Sequence, residues 1–145
     1  MSSQGGGYVG GIGSRREARE QALALLYEAE VKGAPVAEVI EAQVVPPDPY
    51  TVALVVGVFE HRGELDASID AHSRNWRLDR MPTLDLLLLR LGAEELLHQP
   101  DVPPAVTINE IVELAKTYST DESGRFVNGV LNALGSGVAE DDGAR

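Results

Sequence analysis

The sequence predicts an all-α protein of about seven short helices. Apolar residues recur at helical spacing almost everywhere between residues 14 and 135, and the two-residue alternation of strands is nowhere sustained. Capping residues, glycines and prolines fall at the ends of the periodic segments, so the connections are short. The expected domain therefore covers residues 14–135. Six glycines among the first 13 residues predict a disordered leader, and the closing "SGVAEDDGAR" (136–145) predicts a disordered acidic tail.

The elements follow in order. Helix one is expected over Ser14–Val31, with Ser14 and Glu17 as a capping box, Ala18, Ala22, Leu25, Leu26 and Ala29 as its apolar stripe, and Gly33 as its stop. Helix two, Val36–Val44, must end at the proline-rich "PPDP". Helices three and four are expected over Tyr50–His61 and Glu64–Arg74. Helix five, Thr83–His98, is apolar nearly all round, the mark of a central helix buried on most sides. Helix six starts after "PDVPP", with Pro104 in its first turn and Ile108, Ile111, Val112 and Ala115 facing inward.

Helix seven opens at "STDE", capped by a Ser119–Glu122 box or by Thr120. Its Asn128-Gly129 pair is a strong hairpin signal in isolation. The helical spacing of Val127, Val130, Leu131 and Leu134 overrides it, and a glycine there implies a neighbour packed closely against that face.

Composition narrows the function classes. The chain has no cysteine, which removes thiolate metal sites and thiol catalysis and fits a reducing cytoplasm. The N-terminus lacks the basic and apolar regions of a signal peptide, and the apolar run Leu86–Leu89 is far short of a membrane span. The net charge of −11 is unevenly spread. Residues 33–73 hold seven acids and one base, Arg62, whereas Arg15, Arg16 and Arg19, and then Arg74, Arg77, Arg80 and Arg90, form basic islands on an acidic body.

No catalytic constellation emerges. His61, His72 and His98 lie in different elements without a serine nucleophile motif, and no phosphate loop is present. "ELLH", Glu95 to His98, matches half of a di-iron motif; with no second copy it reads as a structural glutamate and a histidine at a helix C-terminus. Neither an enzyme nor a cofactor or metal is expected. The basic islands are more suggestive. Arg16, Glu20, Leu23 and Tyr27 form a row beside the apolar stripe of helix one, suited either to a phosphate or to a solvated face with an Arg16–Glu20 pair. Phe126 lies at the edge of the helix-seven stripe with Arg125 further out, which suits either base stacking or the core edge. Arg90, among leucines, should pair with Asp85, Glu94 or Glu95, or reach a groove edge.

Three segments taken together are specific. "RREAREQALALLYEAE" (15–30), "LLLLRLGAEELL" (86–97) and "DVPPAVTINEIVELAKTYSTDESGRFVNGVLNAL" (101–134) resemble, in this order, the NusB family of transcription antitermination factors. The resemblance implies two small three-helix-type bundles that bind boxA RNA of ribosomal operon transcripts together with NusE, a small-subunit ribosomal protein. The complex joins RNA polymerase and suppresses termination, with no catalytic activity and no cofactor. It further implies RNA-facing roles for Arg15, Arg16, Arg19 and Tyr27 on helix one, Asp85 and Arg90 on helix five, and Glu122, Arg125 and Phe126 on helix seven, converging on one RNA surface. Glu17 interrupts the N-terminal arginines, and Asp85 is shorter than the family's glutamate. With so acidic a body, binding should be weak alone and strengthened by a partner. A second reading is a NusB-like targeting module working in trans with a ribosomal RNA modification enzyme. The pattern leaves a homodimer open.

Overall fold

The computed structural model describes residues 12–74 and 76–143. The first eleven residues of the expected leader lie outside them. Among the described residues the architecture is helical without strands: α1 (Ile12–Lys32), α2 (Val36–Glu41), α3 (Pro49–Glu60), α4 (Arg62–His72), α5 (Thr83–His98), α6 (Pro104–Tyr118) and α7 (Asp121–Gly143), with a 3-10 turn at Leu78–Arg80. No helix among the described residues is long and apolar enough to cross a membrane. The chain divides within α3, after Val56, into two compact units.

In the first unit, α1 begins at Ile12, so Ser14 lies inside the helix rather than capping it. The five residues of the expected stripe are buried, and Leu23 joins them. The stop is a Schellman turn: Gly33 takes a left-handed φ of 62°, the Ala34 N–H donates to the Ala29 carbonyl at 3.0 Å and that of Gly33 to Glu30 at 3.3 Å. Helix α2 ends three residues sooner than its composition suggests. Val45 precedes Pro46, which disfavours helical backbone there, and Val44 and Val45 are left exposed. Pro49 opens α3 and Asp48 Oδ1 accepts the Tyr50 N–H at 2.7 Å. The buried Thr51 hydroxyl donates to the Ala18 carbonyl at 3.1 Å and so ties α3 to α1.

In the second unit, α5 packs against α4, α6 and α7 and is continuously buried over residues 87–96. The expectation of a central helix holds. Gly92 permits the close α5–α7 approach, since a Cβ there would lie 2.7 Å from Leu131. Val127, Val130, Leu131 and Leu134 are buried as their spacing requires. Of the two caps considered for α7, Thr120 is the one formed, accepting the Ser123 N–H at 2.9 Å. Gly129 differs from expectation: the space a Cβ would occupy has nothing within 4 Å. Helix α7 also continues through 136–143, where a disordered tail was expected. That stretch contains no proline, and each residue added to a formed helix gains a hydrogen bond without a new nucleation cost.

Candidate nucleic-acid interface

On α1 the sequence-predicted residues separate by burial. Arg16 and Tyr27 are exposed, and Arg15 is half-buried with its guanidinium 3.9 Å from the centre of the Tyr50 ring. Arg19 is 2% exposed. The expected row through Arg16, Glu20, Leu23 and Tyr27 is broken at Leu23, whose isobutyl group belongs to the core.

On α5 both candidates are internal. Asp85 is fully buried, with Oδ2 accepting from the Ser123 hydroxyl at 3.0 Å and Oδ1 from Ser119 at 3.2 Å. Arg90 is bidentate with Asp66 of α4, its Nε donating to Oδ1 at 2.8 Å and Nη2 to Oδ2 at 3.0 Å. Sequence spacing alone points to Asp85, Glu94 or Glu95 as this partner. Each of those carboxylates has its own partner, and a residue on another helix supplies the planar fork geometry that a neighbour along α5 does not.

On α7, Glu122 and Arg125 are exposed and Phe126 is half-buried. The Phe126 ring meets Trp76 edge-to-face, with centroids 5.0 Å apart and planes at 83°. Trp76 is 40% exposed and was missed by sequence reasoning. Its signal was available: it is the only tryptophan, placed between Arg74 and Arg77 in one of the basic islands. An aromatic pair at a rim, beside exposed guanidinium groups, offers faces for base stacking and cations for phosphate.

A separate cluster involves the histidines. His98 is paired not with Glu95, which accepts from Thr107 at 2.6 Å, but sits with Glu94 one turn earlier. His61 Nδ1 lies 2.8 Å from Glu94 Oε1, His98 Nε2 lies 2.9 Å from Glu64 Oε1, and the two imidazoles stack at 3.8 Å. The hydrogen bond to Glu94 raises the His61 pKa above its ordinary value. Burial pushes the Glu94 carboxyl up, with the His61 hydrogen bond pulling the other way.

The NusB family model matches residues 16–135. The transcription antitermination protein NusB of Thermobifida fusca is 49% identical over 126 residues, covering 84% of this chain and 89% of that protein. Its counterpart from Saccharopolyspora erythraea is 46% identical over 129 residues, covering 85% and 87%. Among solved structures, T. maritima NusB has a TM-score of 0.77 at 30% identity, covering 84% of this chain and 90% of that one. A crystal structure of the antitermination factors NusB and NusE in complex with dsRNA has a TM-score of 0.73 at 31% identity, covering 85% and 96%. The matched span runs from within α1 to within α7, and on that ground the chain belongs to the NusB family.

Proposed function

We propose that the chain is a non-enzymatic, RNA-binding transcription antitermination factor of the cytoplasm. It binds boxA RNA of ribosomal operon transcripts together with a NusE-type ribosomal protein and acts on RNA polymerase within that assembly. The observation that carries this reading is the family match over nearly the whole helical chain, with relatives named for antitermination. A structural neighbour captured with NusE and RNA supports the choice of partners.

Residue roles follow from exposure. Arg15, Arg16 and Tyr27 meet the RNA from α1, and Glu122, Arg125 and Phe126 meet it from α7, with Phe126 stacking a base and the guanidinium groups taking phosphates. Arg19, Asp85 and Arg90 are buried and act as positioning residues, fixing the helices that carry the exposed groups. The test is titration of boxA-type single-stranded RNA, with and without the ribosomal protein, over a range of salt. Binding strengthened by the partner, with affinity falling linearly on a log–log salt plot, is the expected result. No affinity in either condition at low salt overturns the reading.

A further inference from the structure

We propose that His61, Glu94 and His98 form a site for one zinc ion, or a divalent transition ion of like chemistry, with Glu64 as a fourth ligand. The three residues each offer a donor atom, and these atoms lie within 4.8 Å of one another. Tetrahedral zinc, with bonds of about 2.0–2.2 Å, needs donors roughly 3.4 Å apart, so the cluster must close by little more than 1 Å. Two imidazoles and a carboxylate select zinc and its transition-metal neighbours over magnesium and calcium, which take all-oxygen shells.

The scaffold supplies one fixed ligand and two adjustable ones. Glu94 is buried, and Gly57 of α3 makes room for it: a Cβ at that position would overlap the carboxylate. Glu94 and His98 stand four residues apart on α5 and so share a face, while His61 enters from the α3–α4 junction. Both histidines are half-buried, giving an ion a way in from solvent. Their rings are nearly parallel, at 17°. Since ring nitrogens ligate in the ring plane, binding requires one imidazole to turn out of the stack, which its partial exposure permits. His98 Nε2 already points at Glu64, which marks the direction of the fourth ligand.

Bound metal would neutralise the buried Glu94 carboxylate and fasten the start of α4 to the C-terminal half of α5. That is a structural clip. Because unfolded chain holds no such arrangement, zinc stabilises the folded state by mass action, multiplying the folded-to-unfolded ratio about 100-fold at 100 times its Kd.

The experiment uses the full chain without a histidine tag, stripped with a chelator and titrated with zinc chloride by calorimetry. Thermal melts accompany it, and cobalt(II) serves as a spectroscopic substitute. The expected results are one zinc per chain, a higher Tm with zinc, and visible absorption of tetrahedral cobalt. His98→Ala and Glu94→Gln should weaken binding by more than about 10–100-fold, the loss typical even of outer-shell changes. His98→Ala alone carries the test if Glu94→Gln does not fold. His72→Ala should bind as the parent does, since His72 Nδ1 is occupied by the Ser68 carbonyl on α4. No uptake at millimolar zinc, or uptake unchanged in His98→Ala, overturns the proposal.

Discussion

Helices α5 and α7 both carry charge, and they place it oppositely. On α5, Asp85, Arg90, Glu94 and Glu95 all point into the protein, each held by a named partner: Ser123, Asp66, His61 and Thr107. On α7, Asp121, Glu122 and Arg125 are exposed beside a half-buried phenyl ring. A charge removed from water must be matched by hydrogen bonds or an opposite charge, or its desolvation cost stands uncompensated. The α5 charges are accordingly bonded within the protein, whereas those of α7 are open to solvent. Two residues of one type, Arg90 and Arg125, thus stand in opposite settings, and burial rather than residue identity tells them apart.

The comparison breaks most visibly at Arg90. Arg90→Ala leaves Asp66 without its bidentate partner and opens a gap between α4 and α5. Removing one member of a buried pair costs about 3–5 kcal/mol; because Asp66 is partly exposed, the lower end, about 3 kcal/mol, is expected in urea unfolding. Unchanged stability with weakened RNA binding would move Arg90 into the α7 class. Asp85→Ala comes next, at about 2 kcal/mol, because two hydroxyl groups lose their acceptor at a buried position. Asp85→Asn retains one acceptor oxygen and should recover part of that loss on the same urea curve.

How much of this was legible beforehand depended on range. The span of α5 and the buried stripes of α1 and α7 are local matters of period and punctuation, and the sequence pattern placed them well. The family resemblance likewise rested on contiguous segments. Contacts between segments were not legible. Nothing in the spacing of α5 points to Asp66, 24 residues earlier, as the partner of Arg90, or joins His61 to Glu94 across 33 residues. Trp76 is not legible in the pattern because it sits in a connection without period, where only a tertiary contact with Phe126 gives it meaning. Gly129 points the other way: a glycine on a helix implies a close neighbour, yet the structure leaves that face open.

The accessible set on α7 is sharpened by Phe126→Ala. If the ring stacks a base, RNA affinity should fall by about 1–3 kcal/mol. The melting change should stay below the 3–5 kcal/mol typical of removing a fully buried phenylalanine, because this ring is half-exposed. Both quantities measured on one variant separate the roles: a large melting loss with unchanged RNA binding would assign Phe126 to the core. Arg125→Ala should leave stability within about 0.5 kcal/mol, as surface substitutions do, while lowering the slope of log affinity against log salt by about 0.7 for one lost contact to a single strand.

The smallest effect runs in the stabilising direction. Gly129 lies inside α7 with open space where a Cβ would be, so Gly129→Ala should raise stability by roughly 0.5–1 kcal/mol through the lower entropy of the unfolded chain and better helix propensity. Chemical denaturation of the isolated chain reads this directly. Loss of stability instead would mean that the outer face of α7 is packed in solution and that the contrast with α5 fails there. A stabilised chain that no longer associates with the ribosomal protein would locate the partner's backbone against this glycine. The accessibility of α7 would then serve protein contact as well as RNA.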